Sequence, residues 1–142
     1  MPAREIRVEQ VMNPEVLTVT PGTTIMDALR QMAEKHVGSI VVMKNKKLMG
    51  IFTERDLLYK VVLAGKNPEQ TPVSEVMTRN VVSIAPDRSV EWAMNKMAHG
   101  NFRHLLVADN GDDIHGIISI KDVAQALRLQ LIAGRRPSEE QD

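Results

Sequence analysis

The chain has no cysteine among its 142 residues, which removes disulfides, thiolate nucleophiles and cysteine-based zinc sites and suits a reducing cytoplasm. It has no excess charge of either sign. Lys+Arg and Asp+Glu both number 18, so no global field draws in nucleic acid or an anionic membrane. No stretch approaches the roughly 18 apolar residues of a membrane span, and the opening MPAREIRVEQ lacks the apolar core of a secretory signal. A P-loop, a G-x-G-x-x-G fingerprint and a G-x-S-x-G elbow are all missing, so catalysis has little to stand on. These absences predict a soluble cytoplasmic protein that is not an enzyme and has no nucleic-acid or membrane partner.

What is present is an internal repeat. The stretch VMNPEVLTVTPGTTIMDALRQMA from Val11 aligns with VMTRNVVSIAPDRSVEWAMNKMA from Val76. Both open on Val-Met, both place a proline ten residues on (Pro21, Pro86), and both continue into apolar residues at i, i+3, i+4 and i+7. Those residues are Ile25, Ala28, Leu29 and Met32 in one copy and Val90, Ala93, Met94 and Met97 in the other, which is one face of an amphipathic helix. A buried strand follows each helix (SIVVM, 39–43; HLLVA, 104–108), then a polar turn (NKK, 45–47; DNGDD, 109–113) and a second strand (LMGIF, 48–52; IHGIIS, 114–119). A second helix closes each copy, carrying Leu57, Leu58, Val61 and Val62 in the first and Val123, Ala124 and Leu127 in the second.

The predicted fold is therefore α/β (α+β): two β-α-β-β-α repeats, each about 60 residues and too small to bury both sheet faces alone, packed with pseudo-twofold symmetry. The first repeat with its N-terminal segment spans 1–65, a linker 66–72, the second repeat 73–132 and a polar, frayed tail 133–142.

At the end of each hairpin lies GIFTERD (50–56) or GIISIKD (116–122). Thr53-x-x-Asp56 and Ser119-x-x-Asp122 are near matches to a helix capping box, and capping alone explains either taken singly. The basic residue before each aspartate, Arg55 or Lys121, adds a cation at a helix mouth whose amides already favour an anion. A carboxylate there can accept from a vicinal diol, as acidic residues do with ribose, while the hydroxyl, the amides and the cation face phosphate. A second basic element, Arg103-His104 after Phe102, opens the strand of the second copy, whereas the matching Val37, Gly38 and Ser39 carry no charge.

Taken in order and twice over, the Val-Met pair, the strand ending at proline, the helix, the hairpin and Gly-h-h-[Thr/Ser]-x-x-Asp resemble the CBS domain across residues 8–131, and two in tandem resemble a Bateman module. That resemblance implies a non-catalytic regulatory module with two clefts between the repeats, taking an adenosine compound (AMP, ADP, ATP, NAD or S-adenosylmethionine), and a homodimer that signals to an unidentified regulated protein. It implies that Asp56 and Thr53 hold one ribose, facing Ser74, Arg79, Phe102, Arg103 and His104. Asp122 and Ser119 would hold the other, facing Pro14, Val37 and Gly38. The first cleft, with the basic pair, is expected to be the stronger. The alternative is an interaction adaptor whose clefts bind no nucleotide and whose motifs only cap helices.

Other features read as structural. Met32, Met94 and Met97, three of nine methionines, are expected at helix core positions. Trp92, on a polar helix face, suits either a dimer interface or a partly covered surface. His36, His99, His104 and His115 show no metal-ligand spacing, and DNGDD has the wrong length for a calcium loop, so no metal is expected.

Overall fold

The computed structural model describes residues 5–110 and 112–133, so the expected frayed tail lies almost wholly outside the described residues. In chain order the elements are α1 (Val8–Val11), β1 (Thr18–Val19), α2 (Ile25–Lys35), β2 (Ser39–Lys44), β3 (Lys47–Thr53) and α3 (Glu54–Asp56), which runs into a π-helical stretch (Leu57–Val62). After a 3-10 turn (Val73–Glu75) come β4 (Ser83–Ile84), α4 (Val90–Gly100), β5 (His104–Ala108), β6 (Ile114–Ser119) and α5 (Ile120–Ala133). The β-α-β-β-α order is present twice, in a mixed fold with two three-stranded sheets, β1-β2-β3 and β4-β5-β6.

Local chemistry sets the repeated elements. The Thr24 hydroxyl accepts from the Asp27 amide at 3.1 Å to start α2, and Ser89 does the same for the Trp92 amide at 3.1 Å to start α4. Each helix ends on a left-handed residue, His36 or Asn101, both at φ 55°. Each sheet has one parallel pair and one antiparallel hairpin. The central strands β2 and β5 are buried along most of their length, which is why they read as unbroken apolar runs rather than alternating ones. The first hairpin turns on Asn45 and Lys46, both at positive φ, the backbone of a tight hairpin loop whose twist matches the strands.

Two expectations from apolar periodicity are corrected. Met94 is 38% exposed and lies off the core, which takes Val90, Ala93 and Met97 from α4. In the first repeat the closing helix is one α-turn followed by the π-helical stretch, and Val61 is the residue of that stretch that is buried; Leu58 and Val62 face outward.

The compact units do not follow the repeats as written. One unit is Glu15–Val82; the other joins the chain up to Pro14 to the residues from Ser83 on. Each Val-Met segment thus packs with the other repeat, not with the one it opens. Thr78 exchanges backbone hydrogen bonds with Ile51 of β3 (2.7 and 2.9 Å), and Asn13 does so with Ile117 of β6 (2.8 and 3.0 Å). The glycine preceding each partner permits this approach. A Cβ on Gly50 would lie 2.8 Å from the Thr78 carbonyl oxygen and from Met77 Sδ, and one on Gly116 would lie 2.7 Å from the Asn13 carbonyl oxygen and from Met12 Sδ.

Candidate functional site

In the Glu15–Val82 unit, Thr53 is the N-cap of α3 and the box is reciprocal. The Asp56 amide donates to Thr53 Oγ1 at 3.3 Å, and the Thr53 amide donates to Asp56 Oδ2 at 3.0 Å. The Glu54 amide, an otherwise orphaned donor of the helix start, is satisfied by the Gly38 carbonyl at 3.1 Å. Asp56 is 5% exposed, and its carboxylate takes more than the box. The Thr53 hydroxyl donates to Oδ2 at 3.3 Å, the Thr78 hydroxyl donates to Oδ1 at 3.0 Å, and Lys60 Nζ forms an ion pair with Oδ1 at 2.9 Å. Lys60 also donates to the Thr78 hydroxyl at 3.3 Å, closing a ring of Asp56, Thr78 and Lys60. Four donors meet a group with about four lone-pair positions, so Asp56 is saturated within its own unit.

The other unit repeats the box and stops there. The Asp122 amide donates to Ser119 Oγ at 3.2 Å, and the Ser119 amide and hydroxyl donate to Asp122 Oδ2 at 2.9 and 3.0 Å. The Ile120 amide is satisfied by the Arg103 carbonyl at 2.9 Å, and His104 pairs with Ser119 across the β5–β6 ladder. Oδ1 of Asp122 accepts no hydrogen bond among the described residues. The residue at the place of Lys60 is Ala126, and that at the place of Thr78 is Asn13. Because no buried side-chain oxygen or nitrogen lacks a partner among the described residues, Oδ1 reaches solvent.

Of the residues expected at a site, Ser74 and Arg79 lie in the same unit as Asp56, joined by an Arg79 guanidinium bond to the Ser74 carbonyl at 3.4 Å, and Val37 and Gly38 share that unit. Pro14, Phe102, Arg103 and His104 lie in the unit of Asp122. The Arg55 guanidinium sits 5.7 Å from the centre of the Tyr59 ring. Neither Arg103 nor Lys121 has an ion pair among the described residues.

Thr78 and Lys60 are the two site residues that sequence reading passed over. Lys60 was within reach of it, four residues beyond Asp56 and one helical turn away. Thr78, 22 positions off, had no local signal.

The structure also gathers Asp109, Asp113 and His115 at the β5–β6 turn, with ligand atoms within 4.8 Å of one another, all exposed. His115 Nε2 meets Asp109 Oδ2 at 2.5 Å, and that hydrogen bond raises the imidazole pKa above its ordinary 6.5. Any stabilisation from the pair is complete below that ordinary value and is lost as pH rises through the raised one. Asp109 and His115 are thus a hydrogen-bonded pair within the hairpin, and all three groups are exposed. Gly111, which carries the Asn-Gly turn signal, lies outside the described residues.

Comparison with known proteins places this arrangement. The CBS-domain family profile matches residues 8–63 and 73–129. A CBS domain-containing protein of Arabidopsis thaliana, CBSCBSPB2, is 36% identical over 124 residues, covering 87% of this chain and 22% of that protein; the chain spans about a fifth of that relative's length. Among solved structures, a putative signal-transduction protein with CBS domains from Burkholderia ambifaria superposes with a TM-score of 0.83 at 34% identity, covering 92% of this chain and 97% of that one. The CBS domain pair of protein MJ0100, solved with 5'-methylthioadenosine and S-adenosyl-L-methionine, shares the fold at 23% identity and a TM-score of 0.79, covering 89% of this chain and 99% of that one. Both repeats fall within the matched residues and both carry the hydroxyl-carboxylate turn, so the chain belongs to the CBS-domain family, as two CBS domains in tandem.

Proposed function

We propose that this CBS pair is a non-catalytic cytoplasmic regulatory module that binds an adenosine-containing ligand (AMP, ADP, ATP, NAD or S-adenosylmethionine) at a hydroxyl-carboxylate turn. The observation that carries the reading is Asp122: a carboxylate whose inner oxygen is tied into a helix cap while the outer one is open to solvent, at a helix mouth beside Lys121, which has no ion pair among the described residues. That is the acceptor a vicinal diol needs, with a lysine beside it suited to phosphate. The adenosine compounds bound by the MJ0100 pair support the ligand class, at the level of shared fold. Melting curves with AMP, ADP, ATP, NAD, NADH and S-adenosylmethionine test it. A binder at about ten times its Kd raises stability by about 1.4 kcal/mol, a shift of a few degrees. A flat response to all six rejects the reading and selects the interaction adaptor, which the saturation of Asp56 favours for the first motif.

Regulation needs an output, and we assign it to self-association and to a partner protein that reads the assembly. Leu58, Tyr59, Val62 and Leu63, on and just beyond the π-helical stretch, are all exposed, Val62 at 63% and Leu63 at 68%. So dense an apolar face on one short helix is what a homodimer covers. Light scattering after size exclusion should return about twice the 15.9 kDa chain mass for the native protein and the single-chain mass for Val62→Asp/Leu63→Asp. A native protein that elutes as a monomer at all concentrations removes the dimer.

No helix among the described residues is long and apolar enough to cross a membrane.

A further inference from the structure

The two hydroxyl-carboxylate turns are alike in backbone and unlike in what occupies the carboxylate. Asp56 is met by Thr53, Thr78 and Lys60; among the described residues, Asp122 is met by Ser119 alone. A diol binding to Asp56 must first displace a hydroxyl at 3.0 Å and an ammonium at 2.9 Å from a group that is 5% exposed. The hydroxyl bond to a buried carboxylate is the stronger of the two; the ammonium, on a side chain 45% exposed, adds a weaker pairing that water and salt screen. A diol binding to Asp122 displaces water. The difference lies in two positions of the sequence, Lys60 against Ala126 and Thr78 against Asn13, and it runs opposite to the ranking expected from the basic pair Arg103-His104.

We infer that Lys60, braced by Thr78, is a gate that keeps the first motif closed, so that a ribose-bearing ligand is taken by Asp122 and Ser119 and the chain binds one ligand rather than two. This rests on the adenosine reading above and assigns its regulation. The ion pair is partly open to solvent on the lysine side, Lys60 being 45% exposed, so the gate is the kind that salt or a competing anion loosens. The backbone supports the asymmetry: Lys60 sits in the π-helical stretch of the first unit, whereas Ala126 sits in the regular 14-residue α5. Single-turn π segments are frequent where a helix carries function.

Titration calorimetry with AMP, with 2'-deoxy-AMP as the diol control, tests the inference on four proteins. The native chain should bind one AMP and bind 2'-deoxy-AMP more weakly. Asp122→Asn keeps an oxygen to accept within the cap but replaces one carboxylate oxygen by an NH2 donor, and it should weaken AMP by about ten- to hundredfold. Asp56→Asn should leave the AMP affinity within about twofold, a margin small beside one hydrogen bond to a charged group. Lys60→Met keeps the apolar stem, removes the ammonium and should raise the stoichiometry from one toward two. A native protein that binds AMP but loses more affinity with Asp56→Asn than with Asp122→Asn overturns the gate and leaves the adenosine reading standing. A Lys60→Met protein that still binds one AMP overturns the gate in the same way. If neither AMP nor any other compound of the melting panel binds native protein or Lys60→Met, the adenosine reading fails and the gate with it.

Discussion

Asp56→Ala is expected to lower the unfolding free energy by about 2–4 kcal/mol, against about 1 kcal/mol for Asp122→Ala, read as the shift of the urea midpoint at unchanged slope. Both substitutions remove the acidic half of a capping box, a loss of about 1 kcal/mol in each unit. The excess at Asp56 comes from what it leaves behind. The Thr78 hydroxyl, half-buried, loses its acceptor, and the Lys60 ammonium loses its counter-charge. Unsatisfied donors of this kind cost about 1–3 kcal/mol. The lysine adds little of that, because a side chain 45% exposed recovers water and its pairing is screened. The two losses would be equal if the ring of Asp56, Thr78 and Lys60 contributed nothing, and equality would also undercut the gate, since a carboxylate held so loosely has nothing to keep a ligand out.

The comparison of the two turns shows which parts of the molecule sequence patterns expose. The apolar spacing of Ile25, Ala28 and Met32, and of Val90, Ala93 and Met97, located α2 and α4, because helical burial is periodic and the caps Thr24 and Ser89 are local. The unbroken runs of β2 and β5 located the central strands for the same reason. Met94 misled because a wide apolar stripe says which side faces inward, not how far around the helix the core extends. Leu57, Leu58, Val61 and Val62 misled differently: their spacing fits an amphipathic helix, yet only Leu57 and Val61 pack on the core, and Leu58 and Val62 are left uncovered by the unit that carries them. Long-range partnership was the blind spot. Val11-Met12 and Val76-Met77 were visible as repeat markers, but a repeat does not state which copy each marker packs against. Only the structure puts Thr78 beside Asp56, and that contact turns one of two equal-looking motifs into a closed one.

Gly50 is the residue on which that contact depends, and Gly50→Ala should cost about 2–3 kcal/mol although it adds a single methyl group. The methyl would lie 2.8 Å from the Thr78 carbonyl oxygen, closer than real Cβ atoms come to backbone, so either β3 or the segment 76–78 must move. Met77, with Sδ at 2.8 Å and Cγ at 2.9 Å, is buried and would have to repack; the carbonyl cannot move without breaking the Ile51–Thr78 backbone pair at 2.7 and 2.9 Å. Displacing Thr78 withdraws its hydroxyl from Asp56, so the two substitutions act on one element. Combined with Asp56→Ala, the losses should fall short of additive by about 0.5–1 kcal/mol, the coupling expected of residues in one network. Two other glycines calibrate the measurement. Gly22 has open space around its Cβ position and Gly22→Ala should change stability by no more than about 1 kcal/mol, in the stabilising direction. Gly65, with equal space but φ at +70°, should cost about 1 kcal/mol through backbone strain alone. Strict additivity of Gly50→Ala with Asp56→Ala, or a cost at Gly50 no greater than at Gly65, would mean that the glycine admits the 76–78 segment without steering Thr78 onto the carboxylate, and the link from GIFTERD to the closed motif would have to run through Lys60 alone.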